Sequence, residues 1–121
     1  MAKILVVEDD LEVMDVISQI LVLDGHETEV CQNGRMALAK LAESGYDLII
    51  TDLLMPEVDG LEFLLELKRQ QSSVPVIAVS GGLGSRGTDF LEHAKMLGAG
   101  ATLGKPFRAS ELLALVNEQL N

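Results

Sequence analysis

Short runs of aliphatic residues alternate five times with stretches whose apolar residues recur at the period of an α-helix. The runs predict strands at residues 4–7, 27–31, 48–51, 76–79 and 99–103. Helices are predicted at residues 11–23, 35–43, 61–70 and 89–97, and in a last segment that Ser110 is expected to cap. Such alternation predicts an α/β domain with a five-stranded parallel sheet, doubly wound, with helices on both faces.

The length and the charge narrow the class of protein. A chain of 121 residues and 13.0 kDa predicts one domain, residues 1–121. Nine basic against 19 acidic residues give 9 − 19 = −10, which argues against direct binding to nucleic acid. The single cysteine, Cys31, excludes an intrachain disulfide and a cysteine-based zinc site. Since neither a membrane span nor a secretion signal is visible, we expect an intracellular protein with no membrane association.

Polar side chains follow four of the five predicted strands. Glu8 and Asp9 follow the first strand, Asp52 the third and Ser80 the fourth. Lys105 follows close after the fifth. Ligands of such sheets bind outside the carboxyl ends of the strands. We therefore expect these five side chains to meet at one edge of the sheet.

Three carboxylates beside one lysine leave an excess of negative charge that a divalent cation can neutralise. Because every candidate ligand atom is an oxygen, the hard ions Mg²⁺, Mn²⁺ and Ca²⁺ fit, whereas zinc and copper do not. A carboxylate beside Mg²⁺ and a lysine can attack phosphorus and form an aspartyl phosphate. Asp52, on the predicted central strand, is the expected nucleophile.

Five segments in order resemble the receiver domain of two-component response regulators over the whole chain. They are residues 3–10 (KILVVEDD), 33–38 (NGRMAL), 47–60 (DLIITDLLMPEVDG), 75–80 (PVIAVS) and 98–107 (GAGATLGKPF). The resemblance implies a flavodoxin-like (βα)₅ fold with the strand order 2-1-3-4-5. It also implies a role in phosphorelay signal transduction in the cytoplasm.

The resemblance further implies a role for each site residue. Asp52 would accept a phosphoryl group from a histidine kinase or a histidine phosphotransferase. Asp9, Asp52 and the main-chain carbonyl of Leu54 would bind Mg²⁺ or Mn²⁺, with Glu8 acting through water. Lys105 would pair with the phosphoryl oxygens, and Ser80 would hydrogen-bond one of them. The peptide before Pro106 would be cis.

The family implies a signalling switch rather than an enzyme that turns over a separate substrate. The domain would only assist its own phosphorylation and slow dephosphorylation. Phosphorylation would alter a surface formed by the fourth predicted helix, the fifth strand and the fifth predicted helix. That surface would bind an unknown downstream protein or form a dimer.

Three positions depart from the family pattern. Thr102 stands three residues before Lys105, where the family usually has the aromatic residue of its switch. Leu54 and Gly82 stand where polar side chains can orient an attacking water, which predicts a long-lived aspartyl phosphate. The glycine-rich loop at residues 80–87 is expected to move when no phosphoryl group is present.

Other interpretations stay open at this point. Asp9 and Glu12 also fit a helix capping box. The chain can be an interaction module that is not phosphorylated, or a Mg²⁺-dependent phosphohydrolase, although the latter needs an acid where Leu54 stands. No output domain follows the last predicted helix, so we expect either a stand-alone receiver or a part of a longer protein.

Overall fold

A computed structural model describes residues 2–53, 60–81, 92 and 94–121. Five strands form one parallel sheet in the order β2-β1-β3-β4-β5. The strands are β1 (Lys3–Val7), β2 (Glu27–Cys31), β3 (Leu48–Asp52), β4 (Val76–Gly81) and β5 (Ala101–Lys105). This confirms the predicted class and strand order, and it places β1, β3 and β4 inside the sheet.

Helices with described bounds follow four of the strands. They are α1 (Leu11–Leu23), α2 (Gly34–Glu43), α3 (Gly60–Arg69) and the C-terminal helix (Ala109–Leu120). Asp10 caps α1 by accepting from the Glu12 and Val13 amides, and Asn33 caps α2 through the Met36 amide. Within the described ranges, no helix has the length and apolar character needed to cross a membrane.

Hydrophobic cores lie on both faces of the sheet. In β1, Ile4 and Val6 face the core beneath α1 and the C-terminal helix, whereas Leu5 and Val7 face the core beneath α2 and α3. All four β1 side chains are fully buried. A strand that is buried on both faces has no polar alternation, which explains the continuous apolar run in the sequence.

Four strands differ from the prediction at one or both ends. β1 begins one residue earlier, β3 ends one residue later, and β5 extends to Lys105. Ser80 was expected in a loop, but β4 continues through it to Gly81 by pairing with Gly104 and Lys105. The fifth strand begins at Ala101 rather than Ala99, because the Ala99 amide donates to Ala94 O at 2.9 Å and closes a helical turn.

Ser110 does not cap the C-terminal helix, so that prediction is wrong. The cap position is Arg108, whose amide donates to Glu111 Oε1 at 2.9 Å, and the helix begins one residue before Ser110. Most of the predicted glycine-rich loop and most of the fourth predicted helix lie outside the described residues, although residues 94–96 are helical.

Candidate functional site

The acidic cluster forms where β1 and β3 end side by side. Val7 pairs with Thr51, so the residues that follow, Glu8 and Asp52, project from neighbouring strands. One carboxylate oxygen from each of Glu8, Asp9 and Asp52 lies within 4.8 Å of the others. Glu8 and Asp52 are buried, whereas Asp9 is exposed. The three carboxylates therefore form a cluster that is open to solvent on one side.

Lys105, the last residue of β5, reaches into this cluster. Its Nζ lies 2.7 Å from Glu8 Oε1 and 3.4 Å from Asp52 Oδ2. The peptide between Lys105 and Pro106 is cis, as the resemblance implied. The structure thus joins residues from three strand ends in one ion-pair network, and the lysine lies closer to Glu8 than to Asp52.

The network shifts the protonation of two of its members. Burial, with the negative charge of Asp52 added, raises the pKa of Glu8 from 4.5 to about 7, although Lys105 acts in the opposite direction. Burial alone would lower the pKa of Lys105. The hydrogen bond to Glu8 and the charge of Asp52 outweigh that effect and raise the pKa. The lysine is therefore held in its charged form.

Ser80 lies beside this network, at the carboxyl end of β4. The residue before it, Val79, pairs with Asp52 of β3, and Ser80 itself pairs with Gly104 of β5. Its hydroxyl is fully buried and has no hydrogen-bond partner among the described residues. A buried polar group without a partner is costly, which makes it a candidate to bind an oxygen of a group attached to Asp52.

The donor atoms suit a hard divalent cation. Glu8, Asp9 and Asp52 supply only carboxylate oxygens, and Mg²⁺ is commonly held by one or two carboxylates, waters and phosphate oxygens. Asp52 Oδ1 accepts the Leu53 amide at 2.8 Å, which fixes the orientation of this carboxylate. Leu54, whose carbonyl the resemblance places in the ligand set, lies outside the described residues, as does Gly82.

Asp10, rather than Asp9, is the cap of α1, so the capping-box interpretation of Asp9 is wrong. Asp10 Oδ1 accepts the Glu12 amide at 3.0 Å and the Val13 amide at 3.4 Å. The Asp10 amide in turn donates to Glu8 Oε2 at 3.2 Å. The Glu8 carboxylate therefore links Lys105 to the start of α1. Because Asp10 caps the helix, the Asp9 side chain is available to the acidic cluster.

An apolar groove next to Asp52 was not predicted from the sequence. It has a volume of about 800 Å³ and lies between α1 and the segment that follows β5. Val13 and Ile20 are half-buried and line the groove together with Val16 and Phe107. The helical period places these residues on one side of α1, but it cannot tell a core contact from an open groove.

Gly60, the first residue of α3, lies directly against the end of β3. A Cβ atom there would lie 2.3 Å from Asp52 O and 2.4 Å from Leu53 Cα. The Gly60 amide also donates to Leu53 O at 3.0 Å. The first turn of α3 therefore packs directly on the backbone that carries Asp52, and only glycine fits.

Thr102 lies in β5, where it is half-buried and pairs with Ala78. It is on the strand that the resemblance assigns to the signalling surface. The sequence has no aromatic residue at this position. A mechanism in which a ring moves between a buried and an exposed position therefore does not apply at Thr102.

Residues 4–117 match the family described as the response regulator receiver domain. A transcriptional regulatory protein CpxR homolog of Haemophilus influenzae is 40% identical over 117 residues, which cover 96% of this chain and 49% of that protein. The response regulator MprA of Mycolicibacterium vanbaalenii is 34% identical over 114 residues, which cover 93% of this chain and 47% of that protein. The chain spans about half the length of these relatives.

Solved structures show the same fold. The receiver domain of the Francisella response regulator 1452 superposes with a TM-score of 0.90 at 31% identity, covering 99% of this chain and 97% of that one. The chemotaxis response regulator CheY4 of Vibrio cholerae superposes with a TM-score of 0.84 at 31% identity, covering 99% of both chains. Together with the family match, these similarities mean that the chain belongs to the response regulator receiver domains of two-component signalling.

Proposed function

We propose that this domain is a phosphoacceptor whose Asp52 takes a phosphoryl group from a histidine kinase or a histidine phosphotransferase. The observation that carries the proposal is the convergence of three carboxylates, a charged lysine and a buried hydroxyl at one edge of the sheet. A nucleophile, a cation site and groups that can bind phosphoryl oxygens thereby lie together. The domain promotes its own modification but does not turn over a separate substrate.

Asp52 suits the role of nucleophile because it is the acid that ends β3, the central strand of the sheet. It lies beside Glu8 on one side and within reach of Lys105 on the other. In the transfer, one Asp52 carboxylate oxygen forms a bond to phosphorus as the bond from phosphorus to the donor imidazole nitrogen breaks. The other ring nitrogen of the donor phosphohistidine carries a proton throughout, so the imidazole leaves as a neutral base with the electron pair of the broken bond.

Lys105 and Ser80 would bind the transferred group. The ammonium of Lys105 already lies 3.4 Å from Asp52 Oδ2, so a short movement away from Glu8 brings it to a phosphoryl oxygen. The Ser80 hydroxyl would donate to a second oxygen and gain the partner that it lacks among the described residues. Both contacts stabilise negative charge in a site that is partly shielded from water.

Glu8, Asp9 and Asp52 would hold the Mg²⁺ or Mn²⁺ ion, which supplies positive charge to the phosphoryl oxygens when it is bound. Asp9 and Asp52 suit direct coordination. Glu8 suits a contact through water, because Lys105 and the Asp10 amide already occupy its two oxygens. The protein thus supplies three negatively charged groups whose positions are suited to binding the ion.

The groove beside Asp52 suits the protein that delivers the phosphoryl group. Val13, Val16 and Ile20 of α1 present an apolar surface, and Asp52 and Lys105 line the same groove. A helix that carries a phosphohistidine could rest on this surface with its imidazole directed at Asp52. The donor therefore contacts the domain through apolar packing as well as through the reacting groups.

Phosphorylation would change the binding surface around β5. A phosphoryl group adds about two negative charges. It would bind Ser80, one residue before the end of β4, and Lys105, the last residue of β5. The change at these strand ends would alter contacts with a downstream protein, or with a second copy of the domain. We place this activity in the cytoplasm, where histidine kinases donate their phosphoryl groups.

Intact mass spectrometry tests the proposal. The protein is incubated with Mg²⁺ and acetyl phosphate, and Asp52→Asn serves as the matched control because it preserves the shape of the side chain. A gain of one phosphoryl mass is expected in the parent and not in the variant, and chelation of Mg²⁺ should abolish it. The same gain in both proteins would exclude Asp52 as the acceptor.

The two alternative functions predict different results in this experiment. An interaction module that is not phosphorylated would gain no mass from acetyl phosphate or from a phosphorylated kinase. A phosphohydrolase would release phosphate from a small ester over many turnovers. Leu54 argues against the second alternative, because hydrolysis of that kind needs an acid at this position.

A further inference from the structure

A second exposed apolar surface lies on α1, away from the groove beside Asp52. We name it the α1–β2 strip and define it by Leu11, Asp15, Ser18, Val22 and Val30. Leu11 is 61% exposed, Val22 is 56% exposed and Val30, on the edge strand β2, is 39% exposed. Two shallow depressions of about 420 and 440 Å³ share Asp15 and Ser18, so the strip is continuous along the helix.

The strip and the groove occupy opposite sides of α1. At 3.6 residues per turn, the helical members of the strip lie about 160° around the axis from Val13, Val16 and Ile20. Met14, Ile17 and Leu21 are buried between these two sides and face the sheet. A protein that occupies the groove therefore leaves the strip free for another contact.

The two elements that carry the strip, α1 and β2, are joined to each other. Ser18 Oγ and Thr28 Oγ1 lie 3.1 Å apart in a hydrogen bond that joins α1 to β2. Among the described strands, β2 lies at the edge of the sheet and pairs with β1. Leu11, Val22 and Val30 are thus held by two connected elements and form a preformed surface, so a partner does not have to order it on binding.

The charge around the strip identifies the kind of partner. Asp15 lines both depressions of the strip and Glu12 lines one of them, and among the described residues no Lys or Arg lines either of them. Asp15 lies within the strip, and its Oδ2 accepts only the neutral Gln19 amide in the contacts described, at 3.0 Å. A complementary surface must therefore carry positive charge beside its apolar side chains.

A second copy of this chain does not meet that requirement. The chain carries a net charge of −10, and a symmetric contact between two strips would place acidic residues against each other. An amphipathic helix with Lys or Arg beside a row of apolar residues does meet it. Leu11, Asp15, Ser18 and Val22 recur at intervals of three and four residues, so they form one side of α1 against which a second helix can pack.

We propose that the α1–β2 strip is a docking surface for a basic amphipathic helix of a partner protein, separate from the site that receives the phosphoryl group. Leu11, Val22 and Val30 supply the apolar contact. Asp15 supplies the charge that selects a basic partner over an acidic one. Because the strip is distinct from the groove, one domain can hold this partner while its kinase is bound.

Amide NMR spectra of the full chain test this proposal. The probe is a synthetic helical peptide of alanine, lysine and leucine, with leucine on one face and lysine at the flanking positions. The control peptide carries glutamate in place of lysine. We expect the basic peptide to shift the amides of the strip, an effect that added salt weakens, and the acidic peptide to leave them unchanged.

Substitutions distinguish binding at the strip from a general attraction of basic peptides to an acidic protein. Leu11→Ser combined with Val22→Ser should lower the affinity about tenfold. Leu65→Ser, a matched change at an exposed leucine of α3, should leave the affinity unchanged. Asp15→Asn should weaken binding and reduce its salt dependence. It is also a second test should the double variant fail to fold.

Four results would overturn the proposal. Shifts centred on Val16, Ile20 and Phe107 would place the basic helix in the groove instead. Equal amide shifts with both peptides would show that charge does not select the partner. Equal affinities of the basic peptide for the double variant and for Leu65→Ser would show that the strip does not bind it. A doubled mass in sedimentation equilibrium that disappears in the double variant would show that the strip joins two copies of this chain.

Discussion

The ammonium of Lys105 donates a 2.7 Å hydrogen bond to Glu8 Oε1 across 97 residues of sequence. This ion pair joins the first and the last strand of the chain at the site. The other oxygen of Glu8 accepts the Asp10 amide, so the same carboxylate also contacts the start of α1. Glu8 is therefore connected to the lysine, to the acidic cluster and to the helix that borders the groove.

Replacing Glu8 should separate metal binding from folding. Glu8→Gln preserves the size of the side chain and removes one negative charge from a crowded cluster. We expect the affinity for Mg²⁺ to fall about tenfold, since the variant has one acid fewer. The metal-free variant should be at least as stable as the parent above pH 7. Titration calorimetry and thermal unfolding measure the two effects, and an unchanged Mg²⁺ affinity would contradict the role of Glu8.

The contribution of Glu8 to the stability of the metal-free protein should fall as the pH rises from about 4.5 to about 7. The pKa of Glu8 is about 7 in the folded protein, above its ordinary value of 4.5, so the folded state binds the proton more tightly. Raising the pH through this range removes that proton and lowers the free energy of unfolding. Unfolding curves of the parent and of Glu8→Gln at several pH values isolate this contribution. A difference between the two proteins that does not change with pH would refute it.

Once formed, the aspartyl phosphate on Asp52 should last for hours. Leu54 and Gly82 provide no polar side chain that can orient a water for attack. The decay of the phosphoryl mass after removal of acetyl phosphate measures the lifetime directly. Leu54→Asn should shorten it, and Leu54→Val serves as the apolar control. Hydrolysis of the parent within minutes would rule out this prediction.

The cap of α1 can be tested apart from the acidic cluster. Asp10→Ala removes a side chain that accepts two amides and should lower the free energy of unfolding by about 1 kcal/mol. Asp9→Ala removes an exposed acid that accepts neither of those amides, so stability should change little while Mg²⁺ affinity falls. Urea unfolding of both variants gives the comparison. An equal loss of stability in both would restore the interpretation of Asp9 as a cap.

Gly60 should tolerate no side chain. In Gly60→Ala, the added Cβ would overlap Asp52 O and Leu53 Cα, so either α3 or the end of β3 must move. We expect a loss of about 1–3 kcal/mol in the free energy of unfolding and slower phosphorylation by acetyl phosphate. Gly45→Ala, at a glycine where a Cβ meets nothing within 4 Å, is the matched control. Identical rates and stabilities for the two variants would contradict the prediction.

Much of the fold follows from local patterns, and the exceptions have physical causes. The bounds of α1 and β2 agree with the prediction because a period of 3.6 or 2 is clear there and Gly25 separates them. The start of β5 was misplaced because Ala99 and Gly100 are compatible with either a strand or the end of a helix. The cap of the C-terminal helix was misplaced because the helix begins before Ser110. The Glu111 side chain accepts the amide of the cap residue, Arg108.

The site was only partly predictable for a similar reason. Side chains that follow parallel strands must meet at one edge, so Glu8, Asp52 and Lys105 could be brought together from the sequence. The ion pair between Lys105 and Glu8, the groove and the contact of Gly60 with β3 depend on how distant elements pack. No single segment contains the information that determines those distances.

The burial of β1 on both faces determines how precisely Glu8 is positioned in the site. Successive side chains of β1 enter different cores, so a slip of one residue would exchange both sets at once and disrupt both layers. Glu8 is the residue that follows this strand, and its own amide donates to Cys31 O at 3.0 Å. Its position is therefore set by hydrophobic packing along the whole strand. An insertion or deletion within β1 would displace the carboxylate without altering any residue of the cluster.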